Sequence, residues 1–151
     1  MMPAIDMDLA SGIAAFEAKE FRRAMQLLSP LAERGDPEAQ FRVAVMYQNG
    51  LGVVRNEPNA VYWMRTAAEQ AHGLAQHAMG VMYLYGECVG KNETAAAGWF
   101  SRAAEQKLAG ALAALAMMHE QGLGVEKDPA RAQELYELAG FSKNCNEEGA
   151  G

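Results

Sequence analysis

The sequence has few cysteines, no excess of basic residues and no long hydrophobic run. Its two cysteines, Cys88 and Cys145, make no disulfide framework, so we expect reduced thiols and a cytoplasmic location. Thirteen Lys and Arg against nineteen Asp and Glu give a net charge of −6, which argues against binding nucleic acid or an anionic membrane surface, because both need a basic face. A basic or neutral protein partner fits this charge better.

The sequence also shows no hydrophobic pattern typical of a membrane-spanning or secretory segment. A long uncharged stretch, residues 71–86, contains two histidines and falls short of the roughly 20 apolar residues that a spanning helix needs. The N-terminus has no basic region and carries Asp6 and Asp8 where a signal peptide would be apolar. We therefore predict neither a membrane segment nor a secretory address.

An internal repeat is the strongest feature that is present. Aligning the chain with itself at a shift of 36 residues gives three matching segments, in which positions 36 apart form a column. Six columns are identical in all three segments: Ala39/Ala75/Ala111, Met46/Met82/Met118, Gly50/Gly86/Gly122, Val53/Val89/Val125, Ala60/Ala96/Ala132 and Ala67/Ala103/Ala139. A repeat of this length predicts stacked supersecondary units.

Each repeat has the pattern of two helices joined by a loop. Apolar residues recur at helical spacing before the glycine column, where Gly50 predicts a helix end in the left-handed conformation. Asn56, Asn92 and Asp128 are good N-caps for the second helix, and Pro129 suits its first position. Small alanines let the helices approach, and we expect Trp63 and Trp99 to fill the remaining core space.

The N-terminal part extends the array by one helical pair with a shorter turn near residues 18–20. The predicted fold is all-α, a right-handed α-α superhelix, or solenoid, of about four helical hairpins in one domain, residues 1–140. Its units are about 5–35, 36–71, 72–107 and 108–140. The polar, Gly-rich tail, residues 141–151, is predicted to be disordered.

These residues carry a family resemblance. Met46-Tyr47, the loop Gly50-Leu51-Gly52-Val53, Asn56, and Ala60 through Trp63 to Ala67-Ala68-Glu69-Gln70 resemble the pattern of Sel-one-like repeats (SLR), relatives of the tetratricopeptide repeat. The second repeat shows the pattern again. The resemblance implies a helical-repeat scaffold that binds other proteins.

The sequence departs from that pattern in two places. Cys88 replaces the second loop glycine, so we expect a different backbone path there if the position needs a positive φ. In the third repeat His119 replaces Tyr and Leu135 replaces Trp, which is typical of a terminal, capping unit.

No residue pattern predicts catalysis, a metal site or a cofactor. His72 and His77 are five residues apart and so lie on different helix faces, and the two cysteines lack zinc-site spacing. His119 and Glu120 are adjacent and point apart on a helix, so we interpret His119 as a core residue in the Tyr column.

The predicted site is therefore a surface. By analogy with the tetratricopeptide array, the first helix of each repeat lines a concave face that binds a protein or peptide. The candidate partner-binding residues are Phe41, Val45, Asn49, His77, Val81, Tyr85, Met117 and Gln121.

Other interpretations stay open. One alternative is that Phe41 and Val81 are buried between neighbouring first helices. The chain could associate with a second copy through an apolar end near Phe141, and so form a homo-oligomer. A single dedicated partner, as in an immunity or regulatory role, and a small hydrolase on the same scaffold are further alternatives.

Overall fold

The computed structural model describes residues 3–141, with side chains from residue 7 onward. Between these limits the chain forms helices and no strand, which confirms the all-α prediction. The helices are α1 (Pro3–Glu17), α2 (Phe21–Glu33), α3 (Pro37–Asn49), α4 (Glu57–Glu69), α5 (Gly73–Tyr85), α6 (Glu93–Glu105), α7 (Ala109–Gln121) and α8 (Pro129–Leu138). The tail predicted to be disordered lies, from residue 142 onward, outside the described residues.

The chain divides into two compact units, residues 1–76 and 77–151, and the division falls within α5. In the first unit α2 packs on both α1 and α3, and α3 packs on α4. In the second unit α7 packs on both α6 and α8. Within each unit these helices therefore contact mainly their neighbours in sequence, as expected of stacked helical pairs.

The predicted helix ends are confirmed by their capping bonds. The side chains of Asn56, Asn92 and Asp128 each accept a hydrogen bond, at 3.0 Å, from the backbone N–H three residues later. Pro129 is the first residue of α8, where its missing N–H costs nothing. At the end of α3, Gly50 takes the predicted left-handed conformation, with φ of 66°.

The prediction that Cys88 changes the loop backbone is wrong. Its φ is 66°, against 72° for Gly52 and 67° for Gly124 in the same column. All three loops thus place this residue in the left-handed region, and the second repeat accepts the steric cost of a Cβ there.

Alanine columns let the helices pack closely in both units. In the first unit Ala24 and Ala32 of α2 and Ala39 of α3 are fully buried beside Leu28 and Met46. In the second unit the core consists chiefly of α6 and α7 side chains, with Leu135 of α8. Burial of these apolar side chains is the main favourable contribution to folding.

The expectation that Trp63 and Trp99 fill the core is only partly correct. Trp63 and Trp99 are half-buried, and the guanidinium of Arg102 lies 4.4 Å from the centre of one Trp99 ring. The fully buried position is the next one, where Met64 and Phe100 are each 1% exposed. A Cβ added to Gly80 would lie 2.7 Å from the Phe100 ring, so this glycine makes room for the larger side chain.

Two buried glutamines join successive helical pairs in the first unit. The Gln40 side-chain amide donates to the Ala32 carbonyl at 3.0 Å, and Gln76 donates to the Ala68 carbonyl at 3.1 Å. These carbonyls lie at the C-terminal ends of α2 and α4, where they also accept the backbone N–H groups of Gly35, at 3.0 Å, and Ala71, at 3.1 Å. The glutamines thereby add a side-chain bond to these backbone acceptors across the joint between repeats.

We expect Lys107→Gly to stabilise the protein. Lys107 is exposed just after α6 with φ of 61°, a conformation that costs a non-glycine residue about 1–2 kcal/mol. The greater freedom of glycine in the unfolded chain offsets part of this, which leaves a gain of about 0.5–1 kcal/mol. Urea denaturation measures the gain, and Lys107→Ala is the control because it keeps the Cβ. Equal stabilities of the two variants would contradict the strain argument.

Candidate functional site

In the first unit the predicted site residues differ in their exposure. Phe41 and Val45 are half-buried on α3, whereas Asn49 is exposed at its end. The Phe41 ring stacks on the His72 imidazole with centroids 4.9 Å apart. His72 in turn accepts the Ala75 N–H at 3.2 Å, which caps α5. Phe41 therefore packs against the following helix start, and only part of it is available to a partner.

In the second unit His77 is held between two helices. Its ring makes an edge contact with Phe100 of α6, with centroids 5.4 Å apart, and a Cβ on Gly110 of α7 would lie 3.3 Å from its Nε2. This burial lowers the pKa of His77 below its ordinary value of 6.5. The imidazole is thus a packing group, held neutral at neutral pH.

The remaining predicted residues of this unit fall into two groups. Val81 and Met117 are half-buried and pack against the core, which makes them part of the helix contacts. Tyr85 and Gln121 are exposed, and Tyr85 keeps 70% of its surface accessible.

One column unites the exposed members of the predicted set. Asn49, Tyr85 and Gln121 are the last residues of α3, α5 and α7, each followed by a left-handed glycine. Within each unit the described residues at this position therefore offer polar or aromatic side chains to solvent at a rigid helix end. Only Tyr85 among them combines a large apolar area with a hydroxyl group.

His77 gives an expected pH dependence of stability. The folded state resists protonation of His77 because its pKa is lowered, whereas the unfolded chain binds the proton near pH 6.5. The neutral His77 side chain therefore makes its full contribution to the free energy of unfolding above pH 6.5, and this contribution is lost as the pH falls below that value. We expect His77→Phe, which copies Phe41 of the same column, to reduce the loss between pH 7.5 and 5.5. One proton limits the difference in slope to about 1.4 kcal/mol per pH unit. Parallel slopes in urea titrations would contradict this.

Other titratable groups in the described residues make local contacts. His119 Nδ1 lies 3.3 Å from the Glu126 carbonyl oxygen, so its ring faces the α7–α8 loop. Burial, together with the charge of Glu120 and its hydrogen bond, raises the pKa of Tyr136. Between residues 7 and 141 no group of three His, Cys, Asp or Glu side chains has an arrangement suited to a metal ion.

Sequence reasoning missed a cavity of about 250 Å³ between α6, α7 and α8. Its lining includes Leu112 and Leu135, which replace the Gln and Trp of the first two repeats in their columns. Those two departures were the available signal, but Leu135 was interpreted only as capping and Leu112 was overlooked.

No helix between residues 3 and 141 has the length and apolar character needed to span a bilayer.

The chain is similar to a short segment of a curated yeast protein. Protein SHC1 of Saccharomyces cerevisiae, in strains S288c and YJM789, is 45% identical over 51 residues, which cover 34% of this chain and 10% of that protein. The chain thus spans only a small part of these curated relatives.

Solved structures resemble the chain over most of its length. A Sel1 repeat protein from Oxalobacter formigenes has a TM-score of 0.84 and 32% identity, covering 91% of this chain and 57% of its own. A protective antigen of uropathogenic Escherichia coli with an SLR fold has a TM-score of 0.84 and 31% identity, covering 95% and 32%. The chain therefore spans just over half of the first and a third of the second.

The repeats themselves match a family model. The Sel1 repeat model aligns with three consecutive segments, residues 37–72, 73–108 and 109–140. Sel1 repeats form helical scaffolds that typically serve in protein–protein interactions and are generally non-catalytic. Because the three segments cover more than half of it, the chain belongs to the Sel1 repeat family.

Proposed function

We propose that this protein is a non-enzymatic adaptor that binds a protein or peptide through the exposed ends of its first helices, with Tyr85 as the principal anchor. The observation that carries this proposal is the 70% exposure of an aromatic side chain at a rigid helix end. Tyrosine is enriched among residues that dominate binding energy, because its ring buries apolar area and its hydroxyl finds a polar partner.

The buried neighbours of Tyr85 support this role. Leu84, on the same turn of α5, is 6% exposed and belongs to the core of the second unit. The backbone that carries Tyr85 is therefore fixed before a partner arrives, which lowers the ordering cost of binding. The net charge of −6 favours a basic or neutral partner.

Capture from the source-cell lysate on immobilised protein tests the proposal. We expect a protein enriched on the wild type to be retained about tenfold less by Tyr85→Ala, a loss of about 1.4 kcal/mol. Tyr62→Ala is the matched control, since Tyr62 is 60% exposed on α4, a second helix outside the proposed surface. Equal retention by wild type and Tyr85→Ala would move the binding site elsewhere.

Self-association is a second candidate, favoured by the end of the described chain. Leu138 and Phe141 are 65% and 61% exposed there. A concentration-dependent mass in sedimentation equilibrium that Phe141→Ser reduces would support it. A monomer at all concentrations would exclude it.

A further inference from the structure

The cavity between α6, α7 and α8 has an apolar floor and a charged rim. Ala104, Leu112, Leu115 and Leu135 form the floor, and Glu105 and Arg131 lie at the rim. Its volume of about 250 Å³ is below the roughly 300–1,000 Å³ of sites for drug-sized ligands. The size suits a single inserted side chain.

The first unit shows which side chain fits this position. Seventy-two residues earlier, two repeat lengths, Leu135 corresponds to Trp63, Ala104 to Ala32 and Leu115 to Val43. Trp63 is half-buried there and packs against the cluster that contains Ala32 and Val43. The third repeat therefore lacks the indole that occupies the equivalent place in the first.

The backbone carbonyl of Ala104, a residue of the cavity lining, lacks the glutamine partner that its counterparts have. The Ala32 and Ala68 carbonyls each accept a glutamine amide, but Leu112 occupies the glutamine column of the third repeat. The Ala104 carbonyl accepts the backbone N–H groups of Lys107, at 2.8 Å, and of Gln106, and Leu112 has no side-chain donor to replace the glutamine. The Ala32 and Ala68 carbonyls accept the corresponding pair of backbone N–H groups and still bind a glutamine amide, so a ligand N–H can bind the Ala104 carbonyl in the same way.

The rim favours positive charge beside the inserted group. Arg131 is already paired with Glu134, with Nη1 and Oε2 3.1 Å apart. Glu105 is exposed, and no ion pair among residues 7–141 neutralises it. The unbalanced charge at the rim is therefore negative, in keeping with the net charge of the chain.

We propose that this cavity binds an aromatic side chain, preferentially an indole, from a basic segment of a protein partner. The missing Trp sets the shape, the Ala104 carbonyl can accept an indole N–H, and Glu105 attracts an adjacent Lys or Arg. The site is separate from the proposed Tyr85 surface. At 100° per residue, positions 112 and 115 face away from position 121, the exposed end of α7.

NMR titration of the full chain with the peptide acetyl-Lys-Gly-Trp-Gly-Lys-amide tests this proposal. We expect saturable amide shifts in α6, α7 and α8, with a Kd on the order of 1 mM for so short a ligand. Replacing the peptide Trp by Ala should abolish the shifts, and replacing both Lys by Glu should weaken binding several-fold.

Leu135→Trp is the decisive variant because it fills the cavity with the residue of the other repeats. We expect at least tenfold weaker binding, whereas Leu74→Trp, the same change at an exposed α5 position, should bind as the wild type does. Glu105→Gln should weaken peptide binding and make the affinity less dependent on salt concentration, without affecting the fold. This variant keeps the test decisive if Leu135→Trp folds poorly.

Undiminished binding by folded Leu135→Trp, or by Glu105→Gln at low salt, would overturn the proposal. The absence of saturable shifts in the wild type at several times the expected Kd would do so as well. Shifts confined to the amides around Tyr85 would place peptide binding on the other surface. The Tyr85→Ala capture experiment is independent of all these outcomes, so the two proposals can fail separately.

Discussion

Replacing Gly124 by alanine is expected to destabilise the second unit severely. Gly124 has φ of 67°, and a Cβ there would overlap the backbone carbonyl group of Glu93 at the start of α6. Backbone atoms cannot move aside as a flexible side chain can, so the loop or the helix must shift. Left-handed strain of about 1–2 kcal/mol adds to an overpacking cost of about 1–3 kcal/mol or more. A total of about 2–5 kcal/mol is a large part of the stability of a small domain.

Gly122→Ala separates these two costs. Gly122 has φ of 70°, but its nearest neighbour to an added Cβ is the Lys127 side chain, at 3.2 Å. This control carries the same backbone strain with no backbone overlap. Urea denaturation followed by circular dichroism should show Gly124→Ala to be less stable than Gly122→Ala by at least about 1 kcal/mol. Equal losses would show that the overlap relaxes freely.

Gly80→Ala is expected to destabilise the second unit by about 1–3 kcal/mol, and Phe100→Met should suppress the effect. The added Cβ would press into the Phe100 ring, which is only 1% exposed and has no room to withdraw. The first unit already contains the compensated pair, because Ala44 and Met64 occupy these two columns. The double variant copies that pair.

A double-mutant cycle measures this suppression. Phe100→Met alone should lose stability by leaving space beside Gly80, and the double variant should lose less than the sum of the single changes. We expect a coupling energy of about 1–2 kcal/mol, as found for side chains in contact. Additive effects would mean that the two positions do not share packing space. Phe100→Ala leaves a cavity whether residue 80 is Gly or Ala. It should cost about 3–5 kcal/mol of stability and sets an upper limit for the loss expected at this position.

The helix ends could be predicted from the sequence because their causes are local. A cap such as Asn56 acts on a backbone group three residues away, and Gly50 needs only its own missing Cβ. The Sel1 family was equally accessible, since its repeat columns record helix packing directly. Both kinds of information lie within one repeat length.

The packing register needed the structure. Positions 63 and 64, and likewise 99 and 100, differ by 100° around a helix, and both fall within a broad apolar stripe. Phe100 rather than Trp99 is fully buried because Gly80 on another helix leaves room for it. The sequence pattern alone does not show which of two neighbouring apolar residues meets that space.

Exposure within the predicted site was also beyond the pattern. His77, Val81 and Tyr85 share one helical stripe. His77 and Val81 pack against other side chains of the second unit, whereas Tyr85 is 70% exposed. The cavity near Leu135 likewise depends on three helices at once. Such properties arise between elements, so they cannot be derived from the spacing along one of them.

The glutamine bonds between successive pairs bear on how such an array lengthens. Each bond joins a side chain of one repeat to a main-chain carbonyl of the repeat before it. Because every residue type has a backbone carbonyl, only the glutamine of each joint depends on the amino-acid sequence. A gene segment encoding one Gln-bearing repeat can be copied in tandem without a matching substitution in its predecessor. Arrays of different lengths can thus arise by whole-repeat duplication, with each new joint satisfied from the start.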